Sequence, residues 1–222
     1  MTIEFPNIYM GIVYDSLRIM GIPYNEFLIN LKPVCGYRGL IQGPAFTTFG
    51  EVVEGKVTVE EYQKLDNVRL EMYSPENFVN NPIVFLQSND DKVAHSGDIT
   101  SLLYQKLGAV GFVTDGIVRD IDVIDKTNFP VFCNEQNPID AWLYWALTKY
   151  QITVTIQGVE INPGDFTFAS RDGVIIVKRQ LFHRFKKIAI EQIERENMIR
   201  NIINKQENTF NYTKLVEEFG RW

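Results

Sequence analysis

The chain is poor in the residues that build metal clusters, disulfide frameworks and nucleophilic triads: it has two cysteines and two histidines in 222 residues. Cys35 and Cys133 lie far apart, and no CxxC or Cys/His spacing joins them, which argues against a zinc site. Both are expected to be reduced and in or near a core, as in a cytosolic protein. Basic residues are scarce too. Lys and Arg number 22 against 28 Asp and Glu, and a net charge of −6 argues against nucleic-acid binding, which rests on clustered cations. Only the C-terminal helical region shows a local basic face. No run approaches the roughly 20 apolar residues of a membrane helix, and Met1–Pro6 has neither the basic nor the apolar segment of a secretory signal. The expectation is a cytoplasmic protein with no nucleic-acid and no membrane partner. Neither histidine sits beside a Ser or Cys nucleophile signature. His95 precedes Gly97, where it would line a pocket, but as a loop histidine with no partner pattern it reads as incidental, and His183 reads as a surface residue among Lys and Arg.

What is present is an ordinary globular balance, 45% hydrophobic and 23% charged, in a chain long enough for one full core. Apolar spacing predicts an amphipathic helix over Ile8–Met20, stopped by Gly21-Ile22-Pro23, and a short helical turn over Tyr24–Ile29. Gly39–Thr48 reads as a strand, with Pro44 suggesting a strand start or an edge. Val57–Tyr73 reads as a charged helix with an irregular stripe. Pro82–Gln87, a turn at Ser88–Asp91, a helix over Asp98–Leu107 and a strand over Ala109–Thr114 form a βαβ unit, the mark of parallel pairing in an α/β fold. Pro130–Cys133 adds a strand. From Ile152 the pattern turns to β: Ile152–Ile156, Val159–Ile161, a turn at Asn162–Asp165, then a hairpin of Phe166–Ala169 and Val174–Val177 around Ser170–Gly173. Gln180–Lys205 reads as a long helix with a seam of Phe182, Phe185, Ile188, Ile193 and Ile199. Asn208–Asn211 breaks it before a short helix over Tyr212–Phe219. The expected organisation is one α/β domain over residues 1–179 and a helical extension over 180–222.

The chemistry concentrates in one spaced motif: Gly97-Asp98, twenty residues, then Arg119-Asp120. Gly97 removes the side chain that blocks close approach to the helix start. The N–H groups of Asp98, Ile99 and Thr100 then form an anion site with the helix dipole. Arg119 and Asp120 follow an apolar strand, where α/β folds place ligands. A guanidinium there forks onto a carboxylate or an enolate oxygen, and Asp120 suits magnesium or manganese, since Mg²⁺ often takes only one or two protein carboxylates. Each half also has a plain reading. Asp98 alone is a charge in the first helical turn, and Arg119-Asp120 alone is a surface pair opening the next helix. Asp115 is expected to fix the turn at Gly116, and Asp122 to face solvent or steady a metal-bound water.

Together with Val159–Asp165 and Asp172–Val177, the spaced motif resembles that of the RraA-like family, which includes the class II 4-hydroxy-4-methyl-2-oxoglutarate aldolases. Val13–Leu17 and Gly43–Thr47 extend the resemblance more weakly. It implies an α/β protein of three-layer β/β/α swivelling-domain type with a C-terminal helical extension, assembled as a trimer or a dimer of trimers. It also implies a divalent-metal lyase that cleaves a 4-hydroxy-2-keto diacid, or decarboxylates oxaloacetate, through a pyruvate enolate. By the same resemblance Asp120 holds Mg²⁺ or Mn²⁺ and Arg119 holds the keto-acid oxygens. Gly97, Asp98, Ile99 and Thr100 receive the substrate carboxylate, Asp98 orients the site, and an acid of a neighbouring subunit completes it. The family also contains non-catalytic proteins that bind and regulate a ribonuclease, and that is the alternative reading. Three places depart from the family pattern, one of them Ala94-His95-Ser96 ahead of Gly97, in place of a plainly glycine-rich turn. Glu51–Tyr73 is longer and more charged, and Asn134–Tyr150 carries Trp142, Tyr144 and Trp145 in place of a small, basic stretch.

Overall fold

A computed structural model describes residue 5 and residues 7–34, 36–205 and 212–220. Cys35 and the break expected at Asn208–Asn211 lie outside the described residues. The strands are β1 (Leu28–Ile29), β2 (Ile41–Val52), β3 (Ile83–Gln87), β4 (Ala94–Ser96), β5 (Gly111–Thr114), β6 (Ile117–Val118), β7 (Val131–Phe132), β8 (Glu135–Gln136), β9 (Trp145–Tyr150), β10 (Val154–Ile156), β11 (Val159–Ile161), β12 (Phe166–Ser170) and β13 (Gly173–Val177). The helices are α1 (Met10–Ile19), α2 (Val59–Asp66), α3 (Val68–Met72), α4 (Asp98–Leu107), α5 (Ile121–Ile124), α6 (Phe182–Lys205) and α7 (Tyr212–Phe219).

The main sheet runs β1-β13-β12-β2-β3-β5-β7, with β9 also paired to β2. Its centre is parallel, β2 to β3 to β5 to β7, and its other pairs are antiparallel. Central strands are buried on both faces, so they read as unbroken apolar runs. Val84, Leu86 and Phe112 pack into one core with Tyr104 of α4, Met72 of α3 and Ile124 of α5. Ile83, Phe85 and Val113 pack into a second core with Val154, Ile156, Val159 and Ile161 of the β10–β11 hairpin. The result is the β/β/α layering: hairpin, main sheet, helices. A third cluster joins α1 and α6 to one end of the sheet. There Ile12, Val13 and Leu17 meet Phe168, Ile175, Val177, Phe185 and Ala189, so the long helix is tied to the core by its first turns.

Three local expectations change. Tyr24–Glu26 is a 3-10 turn as foreseen, but Leu28–Ile29 is a strand edge on β13, where Ile29 finds apolar cover. Pro44 lies inside the twelve-residue central strand β2 and not at an edge. It is tolerated because the parallel ladder to β3 starts only at Ala45, so no bond to β3 is lost for want of its N–H. The charged helix over Val57–Tyr73 divides at Asn67 into α2 and α3, with Thr58 and Glu61 forming a capping box on the first.

Candidate active site

The site is built where a second, small sheet meets α4. Strands β4, β6 and β8 pair in parallel, and the β4–β6 register sets Ser96 against Val118. The next residues on the two strands are Gly97 and Arg119, and the Arg119 N–H donates to the Ser96 carbonyl at 3.0 Å. This pairing closes the twenty-residue gap of the motif. A Cβ on Gly97 would stand 2.6 Å from Asp120 Oδ2 and 3.1 Å from Arg119 Cγ. A side chain at 97 would displace the Asp120 carboxylate from this position, so the motif is a spatial unit and not two independent surface features.

Asp120 adopts φ 62° and ψ 32°, the left-handed region, at a cost of roughly 1–2 kcal/mol for a residue with a Cβ. Aspartate is among the residues that bear this best. The conformation is held by the Arg119 N–H on one side and by the Val123 and Ile124 N–H groups, which donate to the Asp120 carbonyl, on the other. The Asp120 carboxylate makes no capping bond to α5. Oδ2 lies 3.4 Å from Arg119 Nε, and Arg119 Nη1 lies 3.4 Å from Asp140 Oδ1. These contacts are long, and the guanidinium is 39% exposed. A ligand anion therefore meets a cation that is held in place without being saturated.

Gly97 caps α4, and among the described residues Ser101 is the first helical residue whose N–H reaches back into the chain, to the Gly97 carbonyl. The N–H groups of Asp98, Ile99 and Thr100 are thus left to solvent or to a ligand. They border a cavity of about 320 Å³ shared with Arg119, Asp120 and Asp140. All of Gly97, Asp98, Ile99, Thr100, Arg119 and Asp120 line it. Asp122 is exposed and outside it, and Asp115 accepts from the Ser88 N–H at 2.8 Å. Burial pushes the Asp115 carboxyl above its ordinary value, although the Ser88 N–H works against that shift.

The remaining walls come from two of the segments that depart from the family pattern. Tyr62 and Asp66 of α2 and Arg69 of α3 form one, and Ala141 and Trp142 adjoin Asp140 on another. Tyr62 donates its hydroxyl to the Trp145 carbonyl at 2.8 Å and sets its ring edge-on to Trp142 at 4.8 Å. Asp140 is placed by a bridge to Ala94. Burial pulls the Arg69 guanidinium down, but Tyr73 and Asp66 outweigh burial and hold it above its ordinary value, so it stays charged. Of these wall residues the sequence drew attention to Trp142, in the departing Asn134–Tyr150 segment; Tyr62, Asp66, Arg69, Asp140 and Ala141 did not stand out as site residues. The available signal was the Asp66/Arg69 spacing of three on a helical segment.

His95 is not incidental. It lies on β4 with a fully buried ring, packed on Trp145 at 4.7 Å. Its Nδ1 accepts from the Ile117 N–H at 3.2 Å, which leaves Nε2 to carry the proton and donate to Asp90 Oδ2 at 3.1 Å. Gly116 makes room for the ring, since a Cβ there would stand 2.4 Å from Nδ1. Asp90 also accepts from the Lys92 and Val93 N–H groups and from the Tyr144 hydroxyl. Burial raises the Asp90 carboxyl, but these donors and His95 outweigh it and hold it below the usual range. Burial likewise keeps His95 below its ordinary 6.5, against the pull of Asp90. Unfolding at low pH therefore takes up a proton, and stability is full above about pH 6.5 and falls as pH drops from there through the folded-state value. Denaturant unfolding between about pH 8 and pH 5 is expected to show this loss, and His95→Gln to flatten it.

Comparison with known proteins agrees with this fold. A family model described as RraA-like (Aldolase/RraA) matches residues 13–176. An uncharacterised protein of Methanocaldococcus jannaschii is 27% identical over 196 residues, covering 88% of this chain and 91% of that one. A Halalkalibacterium halodurans protein named "Putative 4-hydroxy-4-methyl-2-oxoglutarate aldolase" is 31% identical over 121 residues, covering 53% of this chain and 57% of that protein. In structure, the chain resembles Streptomyces coelicolor RraAS2, described as an unusual member of the RNase ES inhibitor RraA protein family. The TM-score is 0.68, at 18% identity over 90% of this chain and 92% of that one. Among the described residues no helix is long and apolar enough to cross a membrane. With the fold, the spaced motif and the family model in agreement over most of its length, the chain belongs to the RraA-like family.

Proposed function

We propose that the chain is a divalent-metal-dependent lyase that forms pyruvate enolate, from a 4-hydroxy-2-keto diacid by retro-aldol cleavage or from oxaloacetate by loss of carbon dioxide. The observation that carries this is the close approach at Gly97, which turns the α4 N-terminus, the Arg119 guanidinium and the Asp120 carboxylate onto one cavity. A ribonuclease-binding surface has no use for this combination. Exposed Ile99 on the cavity, with exposed Leu102 on α4 and Val123 on α5, supports a homo-oligomer.

The donor set fits a magnesium or manganese ion. Asp120 offers a carboxylate free of capping bonds, and Asp66, Asp98, Asp120 and Asp140 outnumber Arg69 and Arg119 around the cavity, so a cation is electrostatically welcome. Among the described residues no cluster of three or more His, Cys, Asp or Glu side chains surrounds a point. An ion here would therefore rest on the single carboxylate of Asp120, with water, substrate or a neighbouring subunit filling the shell. Bound there, the ion supplies Lewis-acid polarisation of the keto oxygen.

The chain's own groups do the rest. The N–H groups at 98–100 receive the substrate carboxylate, and Asp98 orients the turn that presents them. Arg119 donates to the keto oxygen and stabilises the negative charge that develops there. In the retro-aldol direction the 4-hydroxyl loses its proton, the C3–C4 bond breaks, and its electron pair becomes the enolate while C4 becomes a carbonyl. From oxaloacetate the same bond breaks and carbon dioxide departs. Protonation at C3 gives pyruvate. His95 lines the cavity but is not the base, because both ring nitrogens are engaged with Ile117 and Asp90. The hydroxyl proton leaves to cavity water. Pyruvate release from oxaloacetate and from 4-hydroxy-2-oxoglutarate is the test. Release that EDTA stops and magnesium restores is expected. No metal-dependent release from any 2-keto acid would favour the ribonuclease-binding reading.

A further inference from the structure

The cavity holds a second guanidinium that the lyase reading leaves unused. Arg69 Nε donates to Asp66 Oδ1 at 2.6 Å, and both side chains are only 24% exposed. Among the described residues no protein acceptor takes an N–H from Nη1 or Nη2. A half-buried guanidinium with open donors is costly, and its planar fork matches a carboxylate through two parallel N–H···O bonds. Tyr62 and Trp142 line the same space and offer apolar surface for a carbon chain.

We propose that Arg69 binds a second carboxylate, at the far end of a 2-keto acid whose first carboxylate and keto oxygen are held by α4 and Arg119. The cavity then selects keto diacids over keto monoacids. The inference rests on the lyase reading for the placement of the keto-acid end. It commits to a carboxylate, because the four lining aspartates oppose a more highly charged phosphate ester.

The test compares 4-hydroxy-2-oxoglutarate with 4-hydroxy-2-oxopentanoate, in which a methyl group replaces the distal carboxylate. Wild type is expected to favour the diacid by about tenfold or more in kcat/KM. Arg69→Met is expected to raise KM for the diacid by about tenfold to a hundredfold, leaving kcat and the monoacid values within about threefold. Arg69→Lys restores part of the loss, and thermal melts of both variants establish that they fold. Equal losses on both substrates, a wild type without preference, or an Arg69-dependent preference for a phosphorylated 2-keto sugar acid would each overturn the proposal. Calorimetric titration with 2-oxoglutarate and 2-oxopentanoate separates the two readings. If wild type releases no pyruvate yet binds 2-oxoglutarate through Arg69, the lyase reading fails and the subsite stands. Binding that ignores Arg69, or no binding of 2-oxoglutarate, removes the subsite.

Discussion

Asp120→Ala is expected to release pyruvate at no more than about one-thousandth of the wild-type rate, with loss of magnesium or manganese binding. The size of the effect follows from position. Asp120 is the carboxylate set against the Gly97 turn, and its left-handed backbone directs it there instead of into a cap for α5. Alanine bears that backbone less well, so part of the loss could come from the loop itself. Asp120→Asn separates the causes. Asparagine tolerates the left-handed conformation and keeps the shape of the side chain, but it lacks the charge. Equal loss in both variants, with unchanged melting of the asparagine form, assigns the effect to the carboxylate. Manganese titration followed by electron paramagnetic resonance gives the binding readout. A fully active Asp120→Ala protein would refute the metal assignment.

Arg119→Ala is expected to lower kcat by about a hundredfold to a thousandfold while metal affinity stays close to wild type. In the proposed lyase the guanidinium donates to oxygen atoms that gain charge only as the C–C bond breaks, so its removal acts on turnover more than on ground-state binding. The long contacts to Asp120 and Asp140 fit such a role, since a tightly paired arginine would have to break those bonds first. Arg119→Lys should recover only part of the activity, because an ammonium keeps the charge but not the fork. If Arg119→Ala instead abolishes metal binding and leaves turnover of the loaded fraction intact, Arg119 supports Asp120 and does not touch substrate.

Legibility in the sequence tracked the length and the burial of each element. The β3–α4–β5 unit was plain because β3 and β5 are buried on both faces and α4 carries a helical period. The motif was legible for a related reason: it sits at the ends of β4 and β6, and glycine, arginine and aspartate each have a restricted set of uses at such places. The strands β4, β6 and β8 themselves are two or three residues long and carry no period to read. The helices α2 and α3 were blurred because only Tyr62 and Met72 are fully buried on them, so no continuous stripe marks the inner face. Their contribution to the cavity depends on packing against β9, a strand that pairs with β2 across almost a hundred residues of chain. The role of His95 was hidden for the same reason. One partner, Asp90, lies in a neighbouring turn, but the other is a backbone N–H at residue 117 that only the β4–β6 pairing delivers.

The most direct measurement is a crystal structure of the protein soaked with magnesium and pyruvate. The account predicts the ion on the Asp120 carboxylate, the pyruvate carboxylate at the N–H groups of residues 98–100, and Arg119 turned to the keto oxygen. Pyruvate bound elsewhere, or Asp120 folded away as a cap on α5 with no ion beside it, would contradict it.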